Sequence, residues 1–159
     1  MIFTAVVSNT SPLIALDQIG HLQLLKQLFS QLLIPPAVRR EIQPKPNLED
    51  WIIERSLQQP IGPQILGASL GNGESEAVAL ALEVSTDLLI IDERPGRRLA
   101  EMLGVPVIGT LGILLASKRR GYLPLVKPSV DALIALGFRV AASLYDDVIR
   151  DAGESVEEA

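Results

Sequence analysis

Cysteine is absent from the 159-residue chain, and histidine occurs once, at His21. Disulfides and thiolate metal sites are therefore excluded, any bound metal would rest on oxygen ligands, and a reducing, cytoplasmic setting is the compatible one. A positive balance is also missing. With a formal net charge of -5, the chain as a whole has no general affinity for polyanions, so nucleic acid would be engaged through local basic patches, a metal or a partner. The first residues, MIFTAVVSNTSPL, lack a basic segment and reach polar side chains too early for a signal peptide or a membrane span. No internal repeat, low-complexity block or long linker divides the chain, and QPKPN at 43–47 is too short to separate two cores. One domain over residues 1–152, followed by an acidic, flexible tail at 153–159, is the expectation.

What the chain does have is apolar content near one half and charge near one fifth, a globular balance. Its organising stretch is GNGESEAVALALEVSTDLLIID, Gly71 to Asp92. The segment Ala77 to Leu82 has no polar face, which predicts a helix buried on most sides. Leu88 to Ile91 is an unbroken apolar run of strand length, the pattern of a parallel strand covered on both faces, and Asp92 stands at its carboxyl end.

Around this stretch the pattern predicts strands at Phe3–Ser8, Leu32–Ile34 and Val105–Ile108, the last at an edge because of Pro106. Helices are predicted through Leu13 to Leu16, His21 to Phe29, Ala37 to Ile42, Leu48 to Leu57, Arg97 to Leu103, Thr110 to Arg120, Val130 to Leu136 and Ala142 to Ala152, with a minor strand before Pro60. Strands alternating with helices imply a parallel sheet in an α/β sandwich, whose strand carboxyl ends share one rim.

That rim would collect Ser8, Asn9, Thr10 and Ser11, then Glu41, one of Glu74 and Glu76, and Asp92. Residues two apart on a helix point about 200° apart, so at most one of the two glutamates faces the rim. Two carboxylates ~4 Å apart repel by roughly 4 kcal/mol at an effective dielectric near 20, so such a cluster requires a raised pKa or a bound cation. An all-oxygen donor set selects Mg²⁺ or Mn²⁺. Plainer readings exist for each residue alone: glutamates in a first helical turn complement the macrodipole, Asp92 can be a turn residue, Glu41 a surface charge, and Lys118-Arg119-Arg120 a helix terminus.

Taken together, VVSNTSPLIAL, IPPAVRREI, GNGESEAVALAL, LLIIDERPGRRLA and VIGTLGILLASKRRG resemble the PIN-domain superfamily, in the branch catalogued as the domain of unknown function 3368, over nearly the whole chain. The resemblance implies an α/β fold, a PIN-like three-layer sandwich with a central, mostly parallel sheet of four or five strands. It implies a Mg²⁺- or Mn²⁺-dependent endoribonuclease related to VapC-type toxins, with Glu41, Glu74 and Asp92 as the catalytic acids. Asn9, Glu41, Glu74 and Asp92 would be the metal ligands, Glu74 being favoured over Glu76 by its spacing to Asp92, and Thr10 or Ser11 would be the hydroxyl neighbour. Asn9 departs from the family's usual aspartate, since it offers a carbonyl oxygen without charge.

Thr10, Ser11, Arg94, Arg97, Arg98 and Lys118 are the candidate contacts to single-stranded RNA. A small antitoxin-like protein and a second copy of the chain are the implied partners. The competing reading is a nucleic-acid-binding or regulatory module that keeps the fold without turnover, with Asn9 as its mark. A phosphoacceptor role for Asp92 ranks below both, because no lysine stands at the end of the later strand.

Overall fold

The computed structural model describes residues 5–42, 49–59, 62 and 70–155. Its sheet contains β1 (Val6–Ser8), β2 (Leu32–Ile34), β3 (Ile52–Glu54), β4 (Leu88–Ile90) and β5 (Val107–Ile108), ordered β3-β2-β1-β4-β5. Every pairing is parallel, where a mostly parallel sheet was expected. Val7 stands opposite Leu33 on one side and Leu89 on the other, and all three residues of β1 are buried, as in a central strand covered on both faces. Pro106 precedes the edge strand β5 and needs no N–H there. Its carbonyl accepts from Leu89 N at 2.8 Å.

Eight helices flank the sheet among the described residues: α1 (Thr10–Gln18), α2 (Gln23–Phe29), α3 (Pro36–Glu41), α4 (Asn72–Glu83), α5 (Arg94–Met102), α6 (Thr110–Arg119), α7 (Lys127–Ala135) and α8 (Ala142–Asp151). The helix α4 packs against β1, β4, α3 and α5. Ala77, Val78, Leu80 and Ala81 are accordingly buried, and the absence of a polar face follows from neighbours on most sides. A second group, α1, α2, α6 and α8, packs together with α2 on β2. The result is the helix, sheet, helix layering of an α/β sandwich.

Two expectations need correction. Residues 49–57 are not helical: Ile52 to Glu54 pair with Leu32 to Ile34 as β3, and no separate strand lies between Arg55 and Gln59. Two β-branched isoleucines beside an open sheet edge pair with it, and the pairing outweighs the local helical pattern. The helix expected from Arg97 begins instead at Arg94, with Pro95 in its first turn, a position where proline's missing N–H costs nothing. At the C-terminus, Glu154 accepts from Lys118 Nζ at 2.8 Å, Val126 N at 2.7 Å and Lys127 N at 3.0 Å. The start of the expected tail is therefore anchored, while residues 156–159 lie outside the described residues, as do Phe3, Thr4 and residues 43–48. None of the described helices is long and apolar enough to cross a membrane.

Candidate functional site

Because all five strands run the same way, Asn9, Pro35, Arg55, Asp92 and Gly109 follow carboxyl ends on one rim. Asn9 begins α1 in extended conformation without capping it. Its Nδ2 donates to Glu93 Oε2 at 3.1 Å. The carbonyl oxygen Oδ1 is buried and receives no donor. The neighbouring hydroxyls divide their work: Thr10 Oγ1 donates to Glu41 Oε2 at 2.6 Å, and Ser11 Oγ donates to Glu93 Oε1.

Glu41 closes α3 and accepts a second bond from Gly73 N at 2.9 Å. One carboxylate thus ties α1, α3 and α4 together. A Cβ at residue 73 would stand 2.5 Å from Glu41 Oε2, so the contact exists only because that position is glycine.

Glu74, one residue on, has Oε2 buried without a donor. Gly96 on α5 makes room for it, since a Cβ there would lie 2.9 Å from that oxygen. Burial raises the pKa of Glu74, and the charges of Glu93 and Glu41 raise it further. Glu76 points the other way: its Oε1 accepts from Ala37 N at 2.9 Å, and Oε2 lies 3.7 Å from Arg40 Nη2. It caps the start of α3 and leaves the rim side to Glu74.

Asp92 accepts from Thr110 twice, N to Oδ1 at 2.8 Å and Oγ1 to Oδ2 at 2.6 Å. Burial raises its pKa, the two bonds from Thr110 oppose the rise, Glu93 adds to it and Arg97 counters it. Arg97 Nη1 donates to the Ile91 carbonyl at 3.0 Å, holding its guanidinium beside the strand end.

The structure therefore brings Asn9, Thr10, Ser11, Glu41, Glu74, Asp92 and Arg97 to one end of the sheet. Arg94 and Arg98 are exposed on α5. Lys118 is elsewhere: it sits eight residues along α6 from Thr110, about 12 Å at helical rise, paired with Glu154. The acids feel one another's charge, yet among the described residues no three acidic or imidazole groups gather into a ready ligand set. The donor chemistry suits a hard cation all the same. Two buried oxygens lack donors, and excess negative charge surrounds them. Sequence reasoning missed Glu93; the available signal was its position directly after Asp92 at a strand's carboxyl end.

No curated protein and no solved structure matches the chain. One family model, DUF3368, described as a PIN domain, matches residues 5–154. That match spans the sheet, the eight helices named above and the whole acidic rim, and the chain belongs to this PIN-domain family.

Proposed function

We propose that the rim is the active site of a metal-dependent endoribonuclease, with Asn9, Glu41, Glu74 and Asp92 as the residues that would hold Mg²⁺ or Mn²⁺. Family membership carries the coarser part: PIN domains have a nuclease-type fold and in general use divalent ions and bind nucleic acid. The observation that supports the finer part is the pair of buried, donorless oxygens, Asn9 Oδ1 and Glu74 Oε2. A buried acceptor without a donor costs about 1–3 kcal/mol, and a cation bound at such an oxygen removes that cost.

When bound, the ion supplies charge neutralisation at a phosphodiester and acidifies water beside it. The chain supplies the rest. Thr10 and Gly73 hold Glu41 in a single orientation, and Thr110 does the same for Asp92. Glu74 Oε2, buried and without a donor, would turn its lone pairs to the ion. Arg94 and Arg98 would draw the backbone of single-stranded RNA toward the rim.

The toxin of a toxin–antitoxin pair acting in the cytoplasm is the setting that fits this chemistry, with a small antitoxin-like protein and a second copy of the chain as partners. An apolar groove lined by Ile14, Ala15, Leu133, Leu136 and Phe138 beside Ser11 supports the partner half of the reading. Titrating Mn²⁺ into a single-stranded RNA cleavage assay tests the whole, with Glu74→Gln as control. Cleavage should require the ion and the glutamate, and equal cleavage by both proteins would overturn the assignment.

A second reading, a binding module without turnover, draws support from the amide at residue 9. Asn9→Asp separates the two: cleavage that appears only in the variant selects the module.

A further inference from the structure

Glu93 occupies the N-cap position of α5 but makes no side-chain bond to that helix. Its carboxylate turns across the rim instead, to Asn9 Nδ2 after β1 and Ser11 Oγ in the first turn of α1. Residues 9 and 93 are 84 apart in sequence, so tertiary structure alone makes this contact.

A mechanical clamp between β1 and β4 would be a sufficient explanation if the clamp were neutral. It is not. The carboxylate stands close enough to Glu74 and Asp92 to raise the proton affinity of both, whereas a glutamine here could tie the same strands without repulsion. Asn9, only 2% exposed, gives Glu93 its amide hydrogen and keeps Oδ1 without a donor. The free oxygen and the extra charge are thus two ends of one hydrogen-bonded pair within the same acidic rim.

We propose that Asn9 and Glu93 act as a single cation-binding unit, in which Asn9 contributes Oδ1 and orients Glu93, and Glu93 supplies the negative charge that an amide at residue 9 lacks. The inference rests on the metal-site reading above and adds to it a residue that the four-ligand assignment omits. Glu93 is equipped for the addition, because each of its oxygens accepts a single bond, from Asn9 or from Ser11, and keeps a lone pair for an ion.

The test is calorimetric titration of the full chain with Mn²⁺ alone, for wild type, Glu93→Gln and the exchange variant Asn9→Asp/Glu93→Gln. Glu93→Gln should weaken binding about ten- to a hundredfold. The exchange variant keeps the number of charges and reverses the hydrogen bond, and it should recover most of that loss. A purely structural Glu93 would lower the metal-free Tm in Glu93→Gln and leave the Kd for Mn²⁺ unchanged, which overturns the proposal. An exchange variant that binds no better than Glu93→Gln overturns it too. If Glu93→Gln does not fold, the exchange variant decides: wild-type affinity supports the unit, and affinity about tenfold weaker sinks it. Wild type that binds no Mn²⁺ removes the metal-site reading itself, whereas normal binding by Glu93→Gln removes only the role of Glu93.

Discussion

Gly73 has no side chain because a carboxylate fills the space one would need. Alanine there would place Cβ 2.5 Å and 2.7 Å from the two oxygens of Glu41, so Glu41 must leave Thr10 and the Gly73 N–H together. Gly73→Ala is expected to cost about 1–3 kcal/mol, read as a lower urea midpoint, and an unchanged midpoint would show that Glu41 relocates freely.

Glu74 behaves oppositely, since its charge is a burden on the metal-free fold. Its pKa is raised in the folded protein, so the native state binds the proton more tightly than the unfolded chain does. Stability from this group is lost as pH rises from its ordinary value through the raised one, and the penalty is complete above that. Asp131 and Glu154 run the other way, with pKa values lowered in the folded protein, so the whole-protein profile mixes signs. The difference between wild type and Glu74→Gln isolates the term: the variant should be the more stable at neutral pH without metal, and the advantage should vanish in acid.

The pH dependence of Glu74 was legible in outline, because crowded carboxylates at a rim must titrate abnormally. The part played by Glu93 was not, because its partners come from the other end of the chain.

Among elements, α6 shows how fold and site share one residue. Asp92 receives the N–H and hydroxyl of Thr110 and so caps the start of α6 with a negative charge where the helix macrodipole favours one. Asp92→Asn keeps an acceptor for one bond and presents a donor to the other, which should cost about 1–2 kcal/mol. Loss of activity in that variant would therefore need its denaturation curve beside it, and a variant as stable as wild type would show the cap to be dispensable. Glu76 gives the same lesson from α4, spending its carboxylate on the first turn of α3.

The helical period alone excluded Glu74 and Glu76 from sharing a face. Which of them turns to the rim depended on where α3 begins. The strand β3 was misread for a related reason: Ile52 and Ile53 are compatible with either state, and only the free edge of β2 decides.

At the scale of the whole molecule, a cation site is a link between chemistry and stability. An ion that binds only the folded chain should stabilise it by about 2.7 kcal/mol at a hundred times its Kd. Mn²⁺ should accordingly raise Tm by several degrees, and EDTA should reverse the shift. A Tm indifferent to Mn²⁺ would argue against any site at the rim.

The sequence by itself determined the alternation of strands and helices, the burial of Ala77 to Ala81 and of Leu89 to Ile91, and the gathering of acids at one end of the sheet, while Leu82, expected in the same buried run, is 42% exposed. Each of these follows from apolar periodicity and from the single direction of a parallel sheet. Tertiary structure alone decided that Glu74 and not Glu76 faces the rim, that Lys118 serves Glu154 instead of the rim, and that Glu93 joins Asn9. Contacts between side chains that the chain separates by dozens of residues depend on how helices pack and turn on the sheet, and no local period encodes that.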